Sequence, residues 1–235
     1  MLPLHRILIV CLLLGMVILG WLNWREVSTR AQLRKAAVPT VVKQPVNFAS
    51  RTFDPGNPPA DMPPLNSGEN AECGSDFISN ADLSGQTRQA DATHGTVTVT
   101  RIKVELQLNI TIWVPIGVTQ QVVDHEEGHR QISEYYYRTA DKLAESIAAN
   151  YMGKEVEIAG TDLNAESAKA LQLMAAEITE EYNRELNTEP TQLLYDTITD
   201  HSRNGVVAQE AVDHALKNAS IEATQPANEE QPTAR

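Results

Sequence analysis

Near the middle of the chain, a group of five consecutive residues has the types and spacing of a metal-binding motif. His125, Glu126 and His129 form an H-E-x-x-H sequence, and residues four apart lie on the same face of an α-helix. Both imidazoles can therefore bind one Zn²⁺ ion through neutral ring nitrogens. Glu126 lies about 100° around the helix from His125, where its carboxylate can reach a water on the metal and act as a general base. The motif predicts a hydrolytic zinc site.

A catalytic zinc site needs a third protein ligand and an open position for water. A metzincin would have glycine at position 132 and histidine at position 135, and the chain has Ile132 and Tyr135, which excludes that class. A gluzincin would supply a glutamate from a following helix, and His201 is the remaining candidate. The glutamates that could serve are Glu145, Glu155 and Glu166. The residue types leave these alternatives open.

The motif is expected on a long helix that follows a strand. Apolar and polar side chains alternate from 101 to 114, which is the period of a strand with one buried face. Segment 156–159 is either a short strand or a turn. Helices are predicted over 119–150, 162–186, 191–199 and 206–218. The predicted fold class is α+β, with a small antiparallel sheet and a zincin-like set of helices preceded by a transmembrane helix.

Outside the predicted metallohydrolase domain, residues 73–221, the chain divides into segments of distinct composition. Residues 7–24 are apolar and uncharged, at the short end of the length that spans a bilayer, and we predict an uncleaved anchor there after a short tail, residues 1–6. Residues 25–72 are basic at first and then rich in proline, which predicts a linker. A disordered acidic tail is expected over 222–235.

The charge distribution limits the kind of partner. The formal net charge is −12, although basic residues predominate before residue 52. An acidic body is repelled by a phosphate backbone, so we expect no nucleic-acid partner. The basic residues directly after the apolar segment suit the region of lipid headgroups. By the positive-inside rule alone, the same basic residues would place the body in the cytoplasm. The very short segment before the anchor instead favours an exported body, which is the orientation we predict.

Two motifs together give the chain a family resemblance. The motif helix reads H-E-x-G-H, and the downstream segment from Tyr195 to His201 reads Y-D-x-x-T-x-H. Over about residues 95–215, the chain resembles the bacterial domain-of-unknown-function family nine-twenty-two, a family of proposed zinc-dependent proteases. That family commonly has glycine after the last histidine, where this chain has Ser202.

The resemblance implies a role for three residues of the second motif. His201 would be the third zinc ligand. Asp196 would accept a ring N–H and so fix the tautomer of a histidine ligand. Tyr195 would donate a hydrogen bond to a developing oxyanion.

We therefore expect a membrane-anchored zinc metallopeptidase, a hydrolase of the bacterial inner membrane with a single span and a periplasmic catalytic domain. Its cofactor would be Zn²⁺, its general base Glu126, and its substrate an envelope protein or peptide. A non-catalytic zinc-binding or scaffold protein of the envelope would bind metal and be indifferent to Glu126→Gln. A helical envelope protein without metal would be indifferent to His125→Ala. Hydrolysis of a non-peptide amide is a further variant within the enzyme class.

Overall fold

The structure is a computed structural model that describes residues 38–65 and 69–222. Its strands are β1 Thr40–Lys43, β2 Asn47–Phe53, β3 Glu72–Gln89, β4 His94–Pro115 and β5 Glu155–Ala159. Its helices are α1 Gln120–Arg138, α2 Ala140–Ala149, α3 Leu163–Glu185, α4 Glu189–Thr199 and α5 Ala208–Glu222. The predicted α+β class is confirmed.

The predicted anchor, residues 7–24, and the tail before it lie outside the described residues, as does the predicted acidic tail beyond residue 222. Among the helices that the structure describes, none combines the length and the hydropathy that a membrane span requires.

Strand β4 is the strand with which the other four pair. The predicted alternation is confirmed from Ile102 to Ile112, because the even-numbered apolar side chains are buried. Trp113, which the alternation places on the exposed face, is buried as well as Val114, so the pattern ends there. Before this stretch the buried positions are odd-numbered, at Val97 and Val99. Because the buried positions change from odd to even numbers, the sequence does not show that this is one strand. In the structure, β4 runs without interruption from His94 to Pro115.

By the density of their contacts, the described residues fall into two units. The first unit contains 82–103 and 147–176, together with the described residues up to Thr40. Within it, β5 pairs antiparallel with β4, and Gly95 lies opposite Ile158. The segment 156–159 is therefore part of a strand, which decides between the two sequence alternatives.

The second unit contains the described residues of 41–81, 104–146 and 177–222, and it corrects two predictions. Its strand β2 runs parallel to β4, with Asn47 opposite Asn109, so the sheet is mixed rather than antiparallel. Strands β1 and β2 also lie within 25–72, so this segment is not wholly a linker. All side chains of β2 except Phe53 are exposed, and pairing of its main chain with β4 orders it instead.

The predicted single helix over 119–150 is in fact two helices, α1 and α2. They are separated at Thr139, whose φ of −107° and ψ of 7° are not helical. The ammonium group of Lys43 donates hydrogen bonds to the carbonyl oxygens of Tyr137 at 3.2 Å and Arg138 at 2.7 Å, and to Asp141 Oδ1 at 3.0 Å. A cation is stabilised at a helix C-terminus, where backbone carbonyls lack intrahelical partners. Lys43 thus joins the supposed linker to the end of the motif helix.

Helix α1 packs against α4 and α5 along one apolar face. Ile132 of α1 and Tyr195 of α4 are fully buried, and they form one core cluster with residues of α5. The α5 members of the cluster are Ala211, Val212 and Ala215. Pro190, in the first turn of α4, suits a helix start because its missing N–H needs no partner there. This packing brings the two sequence motifs together.

We predict that Lys43→Met lowers the free energy of unfolding by about 1–2 kcal/mol, because charged hydrogen bonds to the end of α1 are lost. Urea unfolding of the full chain measures the effect. Lys142→Met is the matched control, since that lysine is exposed on α2. Equal stability of the Lys43 and Lys142 variants would show that β1 does not hold the end of the motif helix.

Candidate metal centre

The H-E-x-x-H sequence lies in the first half of α1, as predicted, and faces the interior. His125 and Glu126 are only 6% and 5% exposed, which is rare for ionisable side chains without a specific role. Residues four apart on a helix share a face, and the Nε2 atoms of His125 and His129 are accordingly 3.3 Å apart. The two imidazoles converge on one point.

The second motif supplies two further donor groups at that point. Asp196 Oδ1 lies 2.9 Å from His129 Nε2 and 3.3 Å from His125 Nε2. His201 Nδ1 lies 3.7 Å from the same oxygen. Donor atoms of His125, Asp196 and His201 all lie within 4.8 Å of one another. His129 is not part of that group of three, although its Nε2 lies close to His125 and Asp196. Asp196 Oδ1 therefore lies near a ring nitrogen of each predicted histidine ligand and adds a carboxylate to them.

The glutamates that sequence analysis kept as alternatives do not belong to this group. Glu145, Glu155 and Glu166 lie on α2, on β5 and in the first turn of α3. Over 38–65 and 69–222, the one set of potential metal ligands that clusters is His125, Asp196 and His201. This favours His201 over a glutamate as the donor from beyond the motif helix.

Asp196 does not occupy the position that the resemblance implied. Its carboxylate was expected to accept an N–H from the far side of an imidazole, but it lies on the Nε2 side, among the donor atoms. The Nδ1 atom of His129 instead lies 2.7 Å from Gln192 Oε1. An amide oxygen can only accept a hydrogen bond. In neutral His129 the proton is therefore on Nδ1, and the lone pair of Nε2 faces the cluster.

Gln192 is itself held in place. Its amide nitrogen donates to the His129 carbonyl oxygen at 3.3 Å and to Ser133 Oγ at 3.1 Å. Sequence analysis missed this residue. The available signal was its position four residues before Asp196, on the same face of a short helix.

Tyr195 packs between the motif histidines and the core. Its ring stacks on His125 with centroids 5.1 Å apart and meets His129 edge-on at 4.9 Å. Its hydroxyl donates to the His125 carbonyl oxygen at 3.1 Å, and the side chain is fully buried. An oxyanion donor must reach the substrate, so the predicted catalytic role does not fit this geometry. Tyr195 positions the two histidines.

Gly128 makes this packing possible. A Cβ atom at that position would lie 2.1 Å from the Tyr195 hydroxyl oxygen and 2.4 Å from Cζ. Both distances are far below van der Waals contact. The glycine, which by helix propensity alone is unfavourable in a helix interior, is therefore required by the close approach of α4.

His201 is presented by an unusual backbone turn. Asp200, His201 and Ser202 have φ angles of 47°, 50° and 66°, a left-handed conformation that residues with a Cβ atom adopt at a cost of about 1–2 kcal/mol each. A glycine at position 202 would adopt it without that cost. Strain of this kind persists only where surrounding contacts impose it, and it is concentrated at functional sites.

A cavity of about 270 Å³ opens beside the donor atoms. It is lined by Glu69, Ala71, Glu72, Cys73, Ser75, His125, Glu126, His129, Thr188, Gln192 and Asp196. Four of these residues are acidic, and none is lysine or arginine. Burial raises the pKa of Glu126 to about 7, and the nearby charge of His129 opposes that rise. Burial and the neighbouring Glu69 also raise the pKa of Glu72.

The charges of Asp196 and His129 stabilise each other. Burial opposes ionisation of Asp196, but the hydrogen bonds from His125 and His129 hold its pKa well below the usual range. Burial likewise opposes protonation of His129, and the hydrogen bond and charge of Asp196 outweigh it and raise the pKa. The carboxylate is therefore ionised at neutral pH, as a metal ligand must be. A metal ion would displace any proton on His129 Nε2.

The chain matches no family model, no curated protein and no solved structure. The family resemblance accordingly stays a prediction from the two motifs.

We predict that Gly128→Ala lowers the free energy of unfolding by about 1–3 kcal/mol, because the added methyl group must displace Tyr195. Helix propensity alone would predict a gain of up to about 1 kcal/mol, so the sign of the change is informative. Denaturant unfolding measures it. Gly74→Ala is the control, since a Cβ there would lie 3.9 Å from its nearest neighbour, the carbonyl oxygen of Thr111. A stabilised Gly128 variant would contradict the packing described.

Proposed function

We propose that the chain is a zinc metallopeptidase in which Glu126 is the general base. The metal would be held by donor atoms of His125, His129, Asp196 and His201. The observation that carries this proposal is the position of Asp196 Oδ1, which lies 2.9 Å from His129 Nε2, 3.3 Å from His125 Nε2 and 3.7 Å from His201 Nδ1. We further propose a zincin-like arrangement for the second unit, supported by the order of strand β4, motif helix α1 and ligand-bearing helix α4 along the chain.

The donor set fits zinc in both chemistry and size. Imidazole nitrogen and carboxylate oxygen are common zinc ligands, and in a tetrahedral site with bonds of about 2.0–2.1 Å the donor atoms lie about 3.3–3.4 Å apart. His125 Nε2 lies 3.3 Å from both His129 Nε2 and Asp196 Oδ1. In addition, His201 Nδ1 is buried and makes no hydrogen bond with the described part of the chain. A metal ion would satisfy an unpaired polar atom in such a position.

Zinc would supply Lewis acidity, which activates water and polarises a carbonyl group. Glu126 lines the cavity that contains the ligand atoms, and a carboxylate in that position can accept the proton of a water molecule. It would take the proton of the attacking water and pass it to the leaving amine. Gln192 would keep His129 in the tautomer whose Nε2 faces the metal.

A peptide substrate is supported by the strand beside the cavity. Glu72, Cys73 and Ser75, at the beginning of β3, line it. Among the described strands, β3 pairs with β4, and an extended peptide can add to the other edge of such a strand through main-chain hydrogen bonds. That mode of binding would lay the peptide bond along the catalytic cavity.

We also propose that the enzyme is anchored in the bacterial inner membrane by residues 7–24, with its catalytic part in the periplasm. The support for the anchor is the uncharged apolar sequence of that segment. The substrate would then be an envelope protein or peptide.

The number of donor groups also favours a second candidate, a non-catalytic zinc-binding or scaffold protein. Four protein ligands fill a tetrahedral zinc site, as in structural zinc sites, whereas a catalytic site keeps one position for water. His201 decides between the two, because its nitrogen is the most distant from Asp196 Oδ1, at 3.7 Å. If His201 does not bind, or if the metal is five-coordinate, the water position remains.

The first test is the metal content of the full chain, determined by elemental analysis. We expect about one zinc per chain, with loss in His125→Ala and Asp196→Ala because each removes a donor at the centre of the cluster. His214→Ala, an exposed histidine on α5, is the control and should retain zinc. Absence of zinc from folded wild-type chain after addition of the metal would refute the proposed site.

The second test separates the enzyme from the scaffold. Glu126→Gln should retain zinc and lose at least about a hundredfold in the rate of peptide hydrolysis, since the general base is removed. Fluorogenic peptide libraries provide the assay. Glu127→Gln is the matched control, because Glu127 pairs with Arg130 on the helix surface and does not line the cavity. If zinc-loaded wild type hydrolyses peptides no faster than zinc-loaded Glu126→Gln, and both rates equal the rate without protein, the result supports the non-catalytic candidate.

A further inference from the structure

We infer that Gln121 is a positioning residue for His201. Its amide group lies on the motif helix and donates a hydrogen bond to the left-handed turn that contains His201. The inference rests on the proposed function, since it takes His201 to be a metal ligand.

The turn needs a stabilising contact from outside, because its backbone conformation is unfavourable by itself. Asp200, His201 and Ser202 all have positive φ angles, and an isolated run of three residues with Cβ atoms would leave that region of conformational space. The imidazole of His201, at the centre of the turn, would then no longer point at the other donor atoms. The imidazole is also partly exposed, with 37% of its side-chain surface accessible, so packing alone does not fix the ring.

Several hydrogen bonds shape the turn from within. The His201 N–H donates to the Asp196 carbonyl oxygen at 3.3 Å, and Arg203 Nε donates to the Asp200 carbonyl oxygen at 2.9 Å. Asn204 Nδ2 donates to the Ile198 carbonyl oxygen at 2.7 Å. All of these bonds join residues between 196 and 204. They set the local shape, but they do not set the position of the turn relative to the histidines of α1.

Gln121 supplies the long-range connection. Its Nε2 donates to the Ser202 carbonyl oxygen at 2.5 Å, between residues 81 apart in the chain. Gln121 precedes His125 by four residues and so lies on the same face of α1. A single hydrogen bond therefore links the face that carries His125 to the residue next to His201. The bond uses the carbonyl oxygen of Ser202, so its geometry depends on the left-handed turn.

The neighbouring residue provides a matched control. Gln120 is also an exposed glutamine in the first turn of α1, but its Nε2 donates to Asp124 Oδ1 at 2.8 Å, within the same helix. Changing either glutamine to methionine removes an amide of similar length without adding charge near the metal. The two variants differ in the connection to Ser202.

The experiment measures zinc affinity of the full chain by competition with a fluorescent chelator. Gln121→Met should weaken zinc binding by about tenfold, the lower end of the range for residues that orient metal ligands. Gln120→Met should bind as wild type does. In a His201→Ala background, Gln121→Met should cause no further loss, because the ligand that it positions is absent. Gln121→Ala repeats the cycle with a shorter side chain.

Each result of this cycle has one meaning. Unchanged affinity of both Gln121 variants overturns the inference, and so does a loss that persists undiminished without His201, since it would then arise from general destabilisation. Either result leaves wild-type zinc binding intact, and with it the proposed function. Failure of the wild type and Gln120→Met to bind zinc refutes the metal centre itself and removes the basis for the inference.

Discussion

The close contact between Tyr195 and Gly128 is the constraint on which the candidate centre depends. The tyrosine ring lies where the side chain of any residue other than glycine would be, and its hydroxyl donates to the carbonyl oxygen of His125. Asp196 follows Tyr195 directly, so the packing that seats the ring also delivers the carboxylate to the imidazoles. Apolar packing thus provides the precision that a metal site requires.

The polar groups of the centre work against stability unless they pair. Glu126 and His125 are nearly inaccessible to solvent, and burying such groups costs free energy. Asp196 compensates part of this cost by accepting hydrogen bonds from two histidines, while Gln192 orients one of them. A bound cation would compensate more, because the cavity beside it is lined by four acidic side chains and by no lysine or arginine. The strained turn at His201 adds a further local cost, which the contact from Gln121 offsets.

The parts of the fold with a strong repeating pattern could be predicted from sequence. The alternation over 101–114 predicted the second half of β4, and the helices predicted over 162–186, 191–199 and 206–218 lie within a few residues of α3, α4 and α5. Strand β2 could not be recognised, because its exposed side chains carry no pattern and its order comes from main-chain pairing with β4. The break between α1 and α2 at Thr139 could not be predicted either, because helix-forming residues flank it. The contact that stabilises the end of α1 comes from Lys43, which is 94 residues before Tyr137 in the chain.

For the centre itself, the sequence alone determined the helical spacing of His125 and His129, since a regular helix places residues four apart on one face whatever surrounds it. It also indicated His201 through a second motif. Only the tertiary structure decided that Asp196 lies among the donor atoms and that Tyr195 is a packing residue. It also showed that Gln192, rather than Asp196, accepts the hydrogen bond from Nδ1 of His129. These roles depend on how α4 approaches α1, which is set by side-chain packing between segments about 65 residues apart.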